Sequence, residues 1–185
     1  MTGSRSLAVL LLGVLAVLLA AGSAHALAVG DKAPDFALPA APGAPPVKLS
    51  DLTAKGPVVI YTFIQAFTGT LTQEIRGFDA ALPQFEAAGA QVVGVSADAP
   101  GTLVAFSKEN NLHHQLLSDF PRRTMLTAYD AVITDPASPI FRYAKRAYFI
   151  VDRQGVVRYM KVQDNPLELL KPEEVLQALK NSGAK

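Results

Sequence analysis

The sequence predicts an α/β fold, a central mixed β-sheet flanked by helices, and three observations carry that prediction. Val58 to Phe63 is a β-branched and aromatic run without a charge, the composition of a strand buried on both faces of a sheet. Small and hydroxyl residues follow it. From Leu71 to Ala88, apolar residues then recur at Leu71, Ile75, Phe78, Leu82 and Phe85, the three-to-four spacing of a helix that lays one face on a sheet. After Gly89, a second uncharged run from Ala90 to Val95 reads as another buried strand. It is expected to lie parallel to the first, because a helix connects the two.

The elements before this core are sparse. Arg5 precedes an apolar run from Leu7 to Ala21, and Ala24-His25-Ala26 supplies small residues at the spacing of a signal-peptidase site. The run's 15 residues fall short of the about 20 that span a bilayer, so a signal peptide over residues 1–26 is favoured over an uncleaved anchor. The reading therefore divides the chain into a signal peptide, 1–26, and a domain, 27–185, with a periplasmic or secreted destination. From Leu27 to Pro46, Pro and Ala dominate a loop. The apolar pieces around Phe36 and Val47 fit an opening hairpin.

Within the helix that follows Val58–Phe63, Pro83 is expected to produce a kink near Asp79, since its ring clashes with the carbonyl four residues back. Asp98 is expected to cap a helix from Pro100 to Asn110 with Leu103 and Phe106 facing inward. Leu116-Leu117 suggests a short strand, and Arg122 to Tyr129 a short helix. Asp130 to Tyr143 contains Pro136 and Pro139 and reads as a long loop of the kind that shapes binding faces. Ala147–Val151 and Val156–Val162 are strands joined by a turn at Gly155, with Asp152 to Arg158 read as a solvated hairpin. Pro172 opens the last helix, which turns Val175, Leu176 and Leu179 inward. The order β-β-α-β-α-β-β-α matches a thioredoxin-like fold.

Composition narrows the chemistry. The chain of 185 residues holds 17 basic and 16 acidic residues, and removal of residues 1–26 takes away Arg5 and leaves the charges balanced. That balance gives no reason to expect nucleic acid or, after signal cleavage, a membrane as partner. There is no cysteine, so neither a disulfide nor a thiol nucleophile is available to the chain.

The junction after Val58–Phe63 reads Ile64-Gln65-Ala66-Phe67-Thr68-Gly69-Thr70-Leu71-Thr72-Gln73-Glu74. It resembles the active-site loop of the peroxiredoxins, the alkyl hydroperoxide reductase and thiol-specific antioxidant family, in which Pro, three residues, Thr, two residues and Cys recur. Ile64, Thr68 and Leu71 occupy those positions here. Thr68 is kept and the cysteine is replaced by Leu71. Ala66-Phe67-Thr68-Gly69 and Glu74 look like the one-cysteine and bacterioferritin-comigratory-type branch. Val29-Gly30-Asp31-Lys32-Ala33-Pro34-Asp35-Phe36, Val47 to Leu52, Leu116 to Asp119 and Arg146 to Asp152 also stand in the family's order.

The resemblance implies a peroxiredoxin variant of the thioredoxin-like fold. It also implies a vestigial pocket of Thr68, Leu71, Glu74 and Arg146 whose electrostatic support persists without its nucleophile. Arg146, bereft of a thiolate, is expected to pair with Glu74, the alternative being that both point to water. A cysteine restored at Leu71 would be expected to carry a depressed pKa at the helix start.

Other chemistry is weaker. Thr68, Thr70 and Thr72 lack a neighbouring base. Met125 and Met160 fit core packing better than slow peroxide oxidation, and His113-His114 lacks a third metal ligand. No metal or cofactor is expected. The reading is a binding or interaction module that takes an unknown protein or a small apolar ligand, with a homodimer possible through the Phe67 and Phe120 edges. The alternative is an antioxidant oxidoreductase that reduces hydroperoxides with sulfur from a partner.

Overall fold

The computed structural model describes residues 26–184 apart from 164, 166 and 167. The expected signal peptide therefore lies, Ala26 excepted, outside the described residues. A short hairpin, β1 (Ala37–Leu38) with β2 (Val47–Lys48), opens the chain and runs into α1 (Leu49–Thr53). Then come β3 (Val58–Thr62), α2 (Gly69–Ala80), α3 (Leu82–Ala87), β4 (Gln91–Ser96), α4 (Pro100–Glu109) and β5 (Gln115–Ser118). The chain ends with α5 (Thr124–Ala128), β6 (Ala147–Val151), β7 (Val157–Val162) and α6 (Pro172–Asn181).

The main sheet has the order β5-β4-β3-β6-β7, with β3 parallel to β4, β4 parallel to β5, and the β3–β6 and β6–β7 pairs antiparallel. The expected mixed sheet with β3 at its centre is therefore present. Period-two alternation sends the side chains of β3 into two cores. Val59, Tyr61 and Phe63 join Ile75, Phe78, Phe85, Leu103, Phe106 and Val175 on one face. Val58 and Ile60 join Leu49, Leu52, Met125, Leu126 and Phe149 on the other. The outer strand β7 carries exposed Arg158 and Lys161, charges of the kind that discourage edge-to-edge pairing.

Four local expectations need correction. The helix expected from Leu71 to Ala88 is two helices that break at Ala81. Pro83 sits in the first turn of α3, where its missing N–H costs nothing. Asp98 does not cap α4, whose N-cap is Ala99; its carboxylate turns back to the loop after β3. The helix expected from Arg122 begins at Thr124, because Arg123 takes a left-handed φ of 58° that a helix cannot continue. Asp152 is buried rather than solvated. It accepts the backbone N–H groups of Gln154 and Val156 at 2.9 and 2.8 Å and the Arg158 Nε–H at 2.6 Å, closing the turn in which Gly155 has φ +71°.

Candidate functional site

The loop between β3 and α2 is held from two sides. The Ala66 N–H donates to Asp98 Oδ2 at 2.9 Å, and the Ser96 hydroxyl donates to the same oxygen at 3.0 Å. Phe67, at a φ of 63° that L-residues seldom adopt, rests its ring edge-on against Phe106 with centroids 5.1 Å apart. Asp98 thus anchors the very segment that the sequence singled out. The chain then enters α2 at Thr68, whose backbone is extended and whose hydroxyl donates to the Gln65 carbonyl at 3.2 Å.

Helical spacing aims Leu71, Glu74, Ile75 and Phe78 at the sheet. Leu71 is 1% exposed, within a cluster that includes Phe63, Ile75, Phe78 and Tyr148. Glu74 enters the same core as a carboxylate and requires partners there. Arg146, just before β6, donates through Nε to Glu74 Oε2 at 3.0 Å, and the two side chains are 3% and 1% exposed. The Tyr148 hydroxyl donates to Glu74 Oε1 and accepts the Leu170 N–H at 3.1 Å.

Burial pushes the Glu74 carboxyl above its usual value, while Arg146 and Tyr148 favour the charged form and oppose that rise. The Tyr148 phenol is driven upward by burial and by the Glu74 charge beside it. Of the four residues grouped from the sequence, Glu74 and Arg146 are brought into contact and Leu71 is packed on the same helix face. Thr68 lies exposed, with its hydroxyl committed to its own loop.

Tyr148 escaped the sequence reading. The signal was present, because strand residues two apart share a face and Arg146 precedes Tyr148 by two. Beyond Arg146, a hollow of about 300 Å³ is walled by Ile133, Ile140, Lys145 and Gln163 and faced by Asp135 and Ser138. Lys145 is tied to Asp130 at 3.2 Å.

A second polar group lies in the same core. Asp79, on the last turn of α2, accepts from His113 Nδ1 and His114 Nδ1, each at 2.9 Å, and from both backbone N–H groups, at 2.6 and 3.3 Å. Partial burial opposes ionisation of Asp79, but these bonds outweigh it and bring the pKa down to about 2. The second nitrogen of His114, Nε2, lies 2.6 Å from the Tyr61 hydroxyl. Burial holds His114 below its usual value despite Asp79, so the ring is neutral at neutral pH, with Nδ1–H donating to Asp79 and Nε2 accepting from Tyr61. Burial, reinforced by the charges of Glu74 and Asp79, pushes the Tyr61 phenol far up.

The adjacent histidines thus converge on a carboxylate that sequence spacing did not bring to them. Among the described residues, no group of three or more His, Cys, Asp or Glu side chains could hold a metal ion. Gly94 makes this arrangement possible: a Cβ there would lie 2.6 Å from Tyr61 Cζ and from its hydroxyl. A glycine inside a strand is itself a sign of such close approach.

The comparisons with known proteins agree with this architecture. The family model described as AhpC/TSA family matches residues 29–160. A protein of Mycobacterium tuberculosis named as a peroxiredoxin is 36% identical over 138 residues, covering 75% of this chain and 79% of that one. The crystal structure of a peroxiredoxin-like protein from Aquifex aeolicus superposes with a TM-score of 0.75 at 25% identity, over 85% of this chain and 89% of that one. The bacterioferritin comigratory protein of Xanthomonas campestris, studied for alkyl peroxide reduction, gives a TM-score of 0.73 at 25% identity, over 87% of this chain and 98% of that one. On this sequence match, supported by the sheet order and the loop geometry, the chain belongs to the AhpC/TSA family, the peroxiredoxins.

Proposed function

We propose that this protein is an exported, peroxiredoxin-like binding or interaction module without thiol peroxidase activity of its own. One observation carries the reading: the position that must supply a nucleophile is Leu71, buried in hydrocarbon, in a chain without a cysteine. Peroxide reduction by this family's chemistry needs a thiolate to attack an oxygen, and a leucine side chain has no lone pair to offer. The cation that would support such a reaction is engaged instead by Glu74.

The hollow beside Arg146 supports a small apolar ligand with a polar end, since Ile133 and Ile140 offer apolar walls and Lys145 and Gln163 offer donors. Exposed Phe67 and Phe120 support a protein partner or a second copy of the chain. The apolar run Leu7–Ala21 and the small residues up to Ala26 support export to the periplasm or medium, with a mature chain that begins at Leu27.

Family membership favours a second reading, in which the protein takes part in hydroperoxide reduction with sulfur lent by a partner. Peroxide consumption separates the two. The purified chain with dithiothreitol or a thioredoxin as donor is expected to show no turnover above the donor alone, and catalytic turnover would overturn the first reading. Capture from the exported fraction, followed by N-terminal sequencing, tests the module and its cleavage site together.

A further inference from the structure

Two buried tyrosines in this chain are each hydrogen-bonded to a base and joined through one aromatic ring. Tyr148 stacks on Phe78 with centroids 6.2 Å apart and planes 24° apart, and Phe78 stacks on Tyr61 at 4.6 Å and 9°. Tyr148 donates to Glu74, and Tyr61 donates to His114 Nε2 at 2.6 Å. One end of the stack meets the ion pair beside the Arg146 hollow. The other ends at His114, Asp79 and the exposed ring of His113.

A phenol buried away from water cannot readily lose an electron unless its proton leaves too, because a phenol radical cation is a stronger acid than the phenol and an isolated charge is costly in an apolar core. Both tyrosines have an acceptor in place, but the acceptors differ. Protonating Glu74 would abolish the charge that pairs with buried Arg146. Protonating His114 at Nε2 would instead create an imidazolium already bonded through Nδ1 to ionised Asp79. The proton is therefore better received at His114.

We propose that Tyr61 is a one-electron redox site, served by His114 as proton acceptor and reached through the Tyr148–Phe78 stack. In the step, one electron leaves Tyr61 for an outer-sphere one-electron oxidant, which is reduced by one unit. The phenolic O–H bond breaks, and its proton moves along the existing hydrogen bond to His114 Nε2, forming an N–H bond. A neutral tyrosyl radical beside an imidazolium–carboxylate pair remains. An electron from a one-electron reductant such as ascorbate, with return of the same proton, restores the starting state.

The test is oxidation of the full chain with hexachloroiridate(IV), rapid freezing and electron paramagnetic resonance of protein labelled with ¹⁵N-histidine. A tyrosyl signal coupled to a histidine nitrogen is expected, because among the described residues Tyr61 is the tyrosine bonded to a histidine. That coupling is read on the unaltered protein and needs no variant to fold. Tyr61→Phe is expected to lose the coupled signal, Tyr159→Phe to retain it, and His114→Gln, which keeps a polar side chain but takes no proton, to lose it. A tyrosyl signal without histidine coupling, no signal at all, or an unchanged yield in His114→Gln would each overturn the proposal.

Discussion

Glu74 and Arg146, 72 residues apart in the chain, meet at 3.0 Å with both charged groups withdrawn from solvent. A pair of this kind is costly to half-remove. Glu74→Gln leaves a buried guanidinium short of its counter-charge and is expected to destabilise the fold by about 3–5 kcal/mol. The double variant Glu74→Gln with Arg146→Met should recover much of that loss. Urea unfolding of the two single variants and the double variant measures the coupling directly, and additive losses would show that the pair does not act as a unit.

The His114 ring sets a dependence on pH whose sign follows from its burial. The folded chain holds His114 below its usual value of 6.5, whereas the unfolded chain takes up a proton as pH falls through 6.5. The associated stability is fully present above about 6.5 and declines as pH drops from there toward the lower folded value. Asp79, depressed from 3.8 to about 2, adds a second loss below 3.8 as pH falls through its folded value. Urea midpoints on either side of 6.5 should differ, and His114→Gln should flatten the upper window while leaving the acidic one visible.

Leu71→Cys restores the missing sulfur but not its surroundings. At 1% exposure, a thiol there is surrounded by apolar side chains and lies one helical turn from the Glu74 carboxylate. Burial disfavours the thiolate and the Glu74 charge is already offset by Arg146, so its pKa is expected above the roughly 8.5 of a free cysteine, contrary to expectation from the helix start alone. The pH dependence of alkylation by iodoacetamide reads this value. A reactive thiol at neutral pH would show that the first turn of α2 opens in solution.

Gly94→Ala places a methyl group 2.6 Å from the Tyr61 ring and 2.8 Å from Leu116 Cδ2. Both contacts are with fully packed neighbours in the sheet core, so a loss of about 1–3 kcal/mol is expected from overpacking. Thermal melting of the variant checks the magnitude. Retention of wild-type stability would mean that Tyr61 can leave His114 without penalty.

Much of the fold was legible because buried strands and amphipathic helices announce themselves by composition and period. Val58–Phe63, Ala90–Val95 and the spacing of Leu71, Ile75 and Phe78 all lie where the sheet and α2 are found. The misplacements have different causes. Asp98 answers to a partner 32 residues away, the Ala66 N–H, whereas Arg123 bends the chain at a left-handed φ and Asp152 closes its own turn with Gln154, Val156 and Arg158. At the site, Glu74 and Arg146 could be paired on charge alone. Tyr148, Asp79 and Tyr61 could not, since their roles depend on which side chains face one another across strands and helices far apart in sequence.

The placement of β3 bears on how the molecule comes apart. Because that one strand feeds side chains to both cores and hydrogen-bonds on both edges, neither half of the protein has a boundary along which it could melt alone. Heating should therefore give a single calorimetric transition in which the folded-state methyl resonances of Ile75 in one core and of Met125 in the other vanish at the same temperature.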